Sequence, residues 1–380
     1  MPASDGTTGR RPPRGLAKRL KGKRVCICLG AGGVGKTTTS AALALALAAE
    51  GQKVAVVTID PAKRLAAALG LSELSGEPQP IDPSLFAAQG VPMKGELWAM
   101  MLDPKRTFDE IVTRLAPDER AREEILANPI YRELSSAVAG SQELSAISKL
   151  YELHHERDFD TIVLDTPPSR NALDFLEAPS NLLHFLEGRA LKVFIAPGGF
   201  TARFLGRSTG LVFAIFARVT GVDMLGDLSG FFRSLTGVID GFGERTRGVA
   251  LLLRERTTTF LIVSSPEPEA AREAVFLAEK LSGAGMSRGG LIVNRVHVDG
   301  LGGHSPEEAT ALLAPDLGDS LAARAAHNLA DFDVLVRRDE DTIEGLTRTL
   351  GEADPILVPN LDQDVEDLAG LARIARHLFA

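Results

Sequence analysis

The sequence predicts an α/β fold: a mostly parallel, doubly wound sheet into which an α-helical subdomain is inserted. Three observations predict it. Apolar runs typical of buried parallel strands recur along the chain, beginning with Val25–Leu29. Segments with helical character lie between these runs, as they do in βαβ units. The segment 198–253 interrupts the alternation, because it combines a helical apolar stripe with frequent glycines.

The first strand leads directly into a glycine loop and then a helix. The spacing Gly30-x4-Gly35-Lys36-Thr37 is the P-loop signature and predicts a P-loop NTPase. Glycines let successive backbone N–H groups converge on phosphate oxygens, and the following helix adds the positive end of its dipole. A plain glycine turn is the alternative interpretation. The predicted nucleotide-binding residues here are Gly30, Ala31, Gly32, Gly33, Val34, Gly35, Lys36, Thr37 and Thr38.

Magnesium and an attacking water need oxygen ligands beside this loop. We expect Lys36 to bridge the β- and γ-phosphates of ATP, and the Thr37 hydroxyl to bind Mg²⁺. Asp165 closes the apolar strand TIVLD, which predicts a place in the magnesium shell. Asp60 follows the strand KVAVVTI and is predicted to orient or deprotonate the water. Turn formation or helix capping is the alternative role for both aspartates.

The rest of the sequence continues the alternation of predicted strands, helices and loops. Loop is predicted at 71–95 because of its Pro, Gly and Ser content, and helix at 103–158 with breaks at Pro117 and Pro129. A helical, loop-rich stretch is expected at 299–349. The other predicted strands are Leu97–Leu102, Leu191–Ile195, Thr258–Ser265, Gly290–Val296 and Pro355–Leu361, and the other predicted helices are Pro268–Ser282 and Asp364–Leu378.

Composition and charge favour one cytoplasmic domain. Residues 1–23 are predicted to be a disordered basic tail, and 24–380 a single ATPase domain with helical insertions at about 103–158 and 198–253. The net charge of −8 disfavours a nucleic-acid-binding body. Mean hydropathy is near zero and the N-terminus lacks an apolar signal, so a peripheral contact is the only membrane association expected.

Only two cysteines are present, Cys26 and Cys28, two residues apart on the first strand. This spacing points both side chains to one face of a buried strand, which predicts core packing in a reducing compartment. Neither a pair of CxxC motifs nor a Cys/His cluster occurs in the sequence, so no zinc site is expected.

Five motifs in this order resemble those of the ArsA-type ATPases, the anion-transporting or guided-entry family, which has a deviant Walker A loop and whose targeting members handle tail-anchored proteins. The stretch Gly95–Glu110 further resembles the actinobacterial-type branch. The motifs are GAGGVGKTTT, IDPAKRLAAALG (59–70), LDTPPSRNALDFLEAP (164–179), IVNRV (292–296) and VPNLDQDVEDLAGL (358–371).

The resemblance implies a dimer with ATP at its interface. It makes 60–70 switch I, with Asp60 placing the water, and 165–172 switch II. Asn294 would read adenine, and Val358–Leu361, with Pro359 and Asn360, would form the loop over the base. Residues 198–250 would match the helical subdomain that binds a hydrophobic client in targeting members.

Three departures from the family qualify these expectations. Ala31 stands where the family carries a lysine that reaches the partner's phosphates, so a homodimer of this chain would lack that cation. A heterodimer with a lysine-bearing homologue, or replacement by another basic residue such as Arg170, is expected instead. The zinc-binding CxxC is absent, and so are cysteines away from the P-loop that could bind arsenite.

The predicted function is therefore an ATP-hydrolysing dimer that couples nucleotide state to a hydrophobic client or a membrane partner. Two alternatives stay open: the ATPase subunit of an arsenite-type anion efflux system, and a weakly hydrolysing scaffold that pairs with a lysine-bearing homologue. The apolar stripe at 198–253 can equally be ordinary core packing. The sequence does not identify the client or the composition of the dimer.

Overall fold

A computed structural model of the chain describes residues 15–59, 64–129, 141–167, 234–361 and 367–379, together with 131–132, 135, 177–179, 183–184 and 365. Within these residues the strands are β1 (Val25–Leu29), β2 (Lys53–Thr58), β3 (Gln79–Pro80), β4 (Glu96–Met101), β5 (Thr161–Asp165), β6 (Thr258–Ser264), β7 (Arg288–Val296) and β8 (Ile356–Pro359). They form one eight-stranded sheet in the order β3-β4-β2-β5-β1-β6-β7-β8. Among these eight strands, only β3 runs antiparallel to its neighbour.

Helices flank both faces of this sheet. In the described part of the chain they are α1 (Leu16–Leu20), α2 (Lys36–Ala49), α3 (Arg64–Ala68), α4 (Ser84–Ala87), α5 (Pro104–Leu115), α6 (Glu119–Ala127), α7 (Ser141–His155), α8 (Thr236–Leu252), α9 (Pro268–Gly283), α10 (Pro306–Leu317), α11 (Asp319–Leu350) and α12 (Leu368–Phe379). None of the described helices is both long and apolar enough to cross a membrane.

The core divides into two layers, one on each face of the sheet. On β1, Cys26 and Cys28 pack against α2 and α12, whereas Val25, Ile27 and Leu29 pack against the other face. This alternation is what a strand buried on both sides requires. The predicted doubly wound, mostly parallel α/β fold is therefore confirmed.

A third cluster lies among α5, α6 and α8. The helix α7 packs against α5 and α8, and we call these four helices the helical layer. Val238 and Phe242 of α8 are buried there with Ile111 and Val112 of α5. The described end of the apolar stripe is thus packed against other helices. Residues 185–233, including the predicted strand Leu191–Ile195, lie outside the described residues.

Three predictions of local structure need correction. Leu16–Leu20, assigned to the disordered tail, form α1, because Leu16 and Leu20 are buried and Arg19 pairs with Glu352 at 2.8 Å. The loop at 71–95 contains β3 and the one-turn helix α4. The stretch at 299–349 is helical as predicted, but it has fewer loops than expected because the 32-residue helix α11 takes up most of it. In α1, β3 and α4, tertiary contacts of a few apolar residues outweigh a polar local sequence.

Candidate functional site

The glycine loop lies at the edge of the sheet where the parallel strands end. It leaves β1 and runs against the backbone of β6 and the end of β7. A Cβ atom on Gly30 would lie 2.0 Å from the carbonyl oxygen of Val263. Gly35 has a φ of +88°, and a Cβ there would lie 2.3 Å from Nδ2 of Asn294. Glycine is therefore required at both ends of the loop.

Lys36 is the first residue of α2 and is 7% exposed. Its Nζ donates hydrogen bonds to the carbonyl oxygens of Ala31 at 2.7 Å and Gly30 at 3.0 Å. Gly35, the N-cap residue, has no side chain to accept from the first N–H groups of α2. A buried ammonium group and the positive end of a 14-residue helix thus meet at one point, which suits an anion.

Asp165 and Thr37, which are far apart in sequence, meet beneath the loop. Asp165 is 0% exposed, and its Oδ2 accepts hydrogen bonds from Oγ1 of Thr37 at 2.7 Å and Oγ1 of Thr58 at 2.9 Å. The strand register produces this contact, because β5 lies between β1 and β2 and Asp165 is paired with residues of both. The structure therefore brings together the two residues that the sequence predicts as magnesium ligands.

A cavity of about 300 Å³ opens above this contact. The charged groups in its described lining are all cationic, which suits the charge of a polyphosphate. Its lining residues are Gly33, Gly35, Lys36, Thr37, Thr38, Arg64, Thr166 and Arg295. A smaller cavity of about 60 Å³ shares Gly35, Thr38 and Arg295 with it and is otherwise lined by Asn294, Pro359, Asn360, Leu361, Val365 and Ile374.

The three residues predicted from the resemblance to hold the base therefore line one cavity next to the P-loop. Asn294 is 7% exposed, and its Nδ2 also donates to the carbonyl oxygen of Val34 at 2.9 Å. This bond ties the end of β7 to the glycine loop, and it was not predictable from the sequence. Asp60 and Arg170 lie outside the described residues.

Two residues of this site, Arg64 and Arg295, were missed by sequence reasoning. Arg64 begins α3 and belongs to the motif at 59–70 that the family resemblance assigns to switch I. Its membership in that motif was a signal that could have identified it. Arg295 directly follows Asn294, but strict alternation along a strand would point these two side chains to opposite faces. No local signal in the sequence places Arg295 in the cavity.

The donor set fits ATP with magnesium. The Thr37 hydroxyl and the Asp165 carboxylate are oxygen ligands of the kind Mg²⁺ prefers, and Mg²⁺ is usually held by one or two carboxylates together with substrate phosphates. Among the described residues there is no cluster of three or more His, Cys, Asp or Glu side chains that could hold a metal ion by themselves.

The two cysteines lie below the loop in the core. Both are fully buried and free of disulfide bonds. Burial raises the pKa of Cys28 to about 12 and raises the pKa of Cys26 further. Because the thiolate is the metal-binding form of cysteine, neither residue suits a thiophilic ligand.

This fold and loop define a P-loop nucleotide-binding protein of the α/β class. Residues 23–301 match the family model described as anion-transporting ATPase, so the chain belongs to the ArsA-type ATPase family. It is also 27% identical over 200 residues to the protein called ATPase GET3 of Podospora anserina. That match covers 53% of this chain and 55% of the relative, so the chain matches little more than half of that protein's length. The predicted membership in the ArsA-type ATPases is confirmed.

Proposed function

We propose that this chain binds ATP with Mg²⁺ in the P-loop cavity, hydrolyses it as part of a dimer, and couples the nucleotide state to a hydrophobic client or a membrane partner. One observation carries the nucleotide part. A cavity with three cationic side chains lies directly above a buried carboxylate, Asp165, that is hydrogen-bonded to Thr37 of the P-loop. ATP hydrolysis requires cationic groups around the polyphosphate and oxygen ligands for the magnesium ion, and this arrangement suits both.

Each residue has a distinct task in this proposal. The loop amides and the start of α2 hold the phosphate oxygens, and Lys36 places its charge on the β- and γ-phosphates. The two loop carbonyl oxygens that accept from Lys36 are neutral acceptors, so phosphate oxygens can replace them as its partners. Thr37 and Asp165 would hold the magnesium ion, which supplies charge neutralisation as the terminal phosphoryl group leaves. Asp60 keeps its predicted role of positioning the water.

The dimer and client parts rest on the family and on two features of the sequence. Ala31 lacks the positive charge that the family's lysine would bring to a partner's phosphates, which favours a heterodimer with a lysine-bearing homologue. The apolar, glycine-rich segment at 198–250 supplies the client surface in this proposal. Of its described end, Val238 and Phe242 pack in the helical layer. We place the protein in the cytoplasm or at a membrane surface, wherever that client is met.

The family's description as anion-transporting ATPases favours a second candidate, the ATPase subunit of an anion transporter. The positions of the two cysteine thiols limit which anions this chain could recognise. Cys26 and Cys28 are fully buried, and burial raises the pKa values of both. An anion handled by this chain would therefore have to be recognised without cysteine thiolates.

A Lys36→Ala variant tests the nucleotide part. We expect weaker binding of Mg·ATP in calorimetry and a loss of phosphate release on the order of 10³-fold or more, because the main cation on the transferred group is removed. Lys94→Ala, which changes an exposed lysine away from both cavities, is the matched control and should behave like the parent.

Equal affinity and turnover in the parent chain and Lys36→Ala would refute ATP hydrolysis at this loop. The same assay addresses the partner. Brisk turnover by the purified chain alone would argue against any need for a lysine-bearing homologue, whereas turnover that appears only with such a homologue would support it. Arsenite should not stimulate ATP turnover through the buried thiols, either in the purified chain alone or in the chain with its homologue.

A further inference from the structure

The end of β7 contains a β-bulge at the site. Val293 pairs with Leu357 of β8 and Val296 pairs with Pro359, so β7 has one residue more than β8 between these pairs. Asn294 and Arg295 therefore stand opposite a single residue, Val358. Bulges of this kind redirect side chains and are common beside active sites.

The bulge changes the face on which Arg295 lies. Val293 is buried in the core layer on one face of the sheet, and Val296 packs against that same layer. On a regular strand, the side chains of residues three apart point to opposite faces of the sheet. Val293 and Val296 share a face instead, so the alternation of side chains is broken at one residue between them. Arg295 consequently joins Asn294 beside the P-loop and lines both cavities.

Arg295 also has an unfavourable backbone conformation. Its φ is +60°, and it is the one non-glycine residue with positive φ in the described part of the chain. This left-handed region is costly for an L-residue with a long side chain. The side chain is exposed and takes no part in the hydrogen bonds or ion pairs among the described residues. Within the described fold, no contact of the Arg295 side chain thus accounts for an arginine at this position. Backbone strain of this kind is concentrated at functional sites.

We propose that Arg295 is a nucleotide-contacting residue whose guanidinium group binds the α- and β-phosphate oxygens. It lies where the phosphate cavity meets the smaller cavity lined by Asn294 and Pro359, a place shared with Gly35 and Thr38. Its planar set of N–H donors matches phosphate oxygens in a two-bond geometry. The inference rests on the proposed function, because it presumes that nucleotide occupies this cavity.

The position predicts how Arg295 acts. The α- and β-phosphates are present before and after hydrolysis, so the contact strengthens binding of ATP and ADP alike. A contact made equally in the ground state and the transition state changes affinity and leaves the catalytic step almost unchanged. Arg295 thereby differs from Lys36, whose charge lies on the group that is transferred.

Calorimetry with Arg295→Ala tests the proposal. We expect the affinities for ATP and ADP to fall about tenfold, in line with the loss of a charged hydrogen-bond pair, and the affinity for adenosine to stay unchanged. The kcat at saturating ATP should stay within about twofold of the parent. Arg295→Lys should recover part of the affinity, and Arg324→Ala, an exposed arginine that lines neither cavity, is the control.

A second variant separates function from fold. Arg295→Gly relieves the left-handed backbone, so the Tm without nucleotide should rise by about 1–2 °C while ATP binding weakens. A purely structural arginine would not produce these opposite changes. Parent-like affinity in both Arg295→Ala and Arg295→Gly, or an equal loss of adenosine binding, would overturn the proposal.

Failure of the proposed function gives a different result. If the parent chain does not bind ATP, or if Lys36→Ala binds ATP as tightly as the parent, the nucleotide site itself is wrong. If Lys36→Ala loses affinity and Arg295→Ala retains it, only the inference about Arg295 is wrong.

Discussion

Two buried lysines in different parts of the molecule are held in contrasting ways. Lys36, 7% exposed, donates to two carbonyl oxygens of its own loop at the edge of the P-loop cavity. Lys149, 1% exposed, lies in the helical layer and donates to the carboxylates of Glu110 and Glu152, at 2.9 Å each. In the P-loop region, the buried ammonium group of Lys36 thus lies at the edge of a cavity. In the helical layer, the buried ammonium group of Lys149 is surrounded by carboxylates.

The charges in the helical layer stabilise one another. Burial acts to lower the pKa of Lys149, but the hydrogen bonds and the charge attraction of Glu152 and Glu110 together outweigh burial and raise that pKa. Burial likewise acts to raise the pKa of Glu110, but hydrogen bonds from Arg106 and Lys149 hold it below its ordinary value. A lysine enclosed in this way supports the fold and is unsuited to bind an incoming anion.

The largest expected effect comes from removing the lysine of the helical layer. Lys149→Ala should destabilise the protein by about 1–3 kcal/mol, because it removes the charged hydrogen bonds to Glu110 and Glu152. The loss is limited because Glu152 keeps its ion pairs with Arg114 and Arg157. Chemical denaturation measures this loss, and the affinity for ATP in the surviving folded fraction should match the parent. Lys36→Ala should show the reverse pattern, with little change in stability and a large loss of turnover.

A matched double variant checks the cause. Lys149→Met combined with Glu152→Gln removes both charges of this pair and keeps similar volumes, so it should regain part of the stability lost in Lys149→Met alone. Arg114 and Arg157 lose Glu152 in the double variant but keep Glu156 and Glu77 as partners. If Lys149→Ala instead lowered ATP turnover without lowering stability, the division of roles between the two lysines would be wrong.

A smaller effect is expected from pH. Because the pKa of Glu110 is lowered in the folded protein from about 4.5, the unfolded chain takes up this proton first as the pH falls. The contribution of Glu110 is therefore present above about pH 4.5 and is lost as the pH falls through the lower, folded-state pKa. Tm values measured from pH 6 to pH 3.5 should fall more steeply for the parent than for Glu110→Gln, and parallel curves would contradict this.

The smallest effect concerns an exposed ion pair in the same layer. Arg120 and Glu124 are paired at 2.9 Å on α6, but both side chains are largely exposed. Water screens such pairs, so Arg120→Ala should change the Tm by less than about 1 °C. A shift as large as that of Lys149→Ala would show that burial does not explain the difference between these pairs.

Most of the strands and the P-loop could be predicted from local sequence. Val25–Leu29 and Thr161–Asp165 form strands with the predicted bounds, because continuous β-branched and apolar runs are a local property. The nearness of Asp165 to Thr37 was also predictable, since parallel strands end at one edge of a sheet. The order of the strands and the partners of Lys149 were not predictable, because they depend on contacts between distant segments.

By itself, the sequence determined the α/β class, the glycine loop with Lys36 and Thr37, the family, and the presence of only two cysteines. Each of these follows from residue types at short spacings, or from composition. Only the tertiary structure decided that Leu16–Leu20 is a packed helix and that Lys149 is enclosed by acids. It also decided that Arg295 faces the P-loop, because one extra residue in β7 relative to β8 reverses the side of the sheet on which a side chain lies.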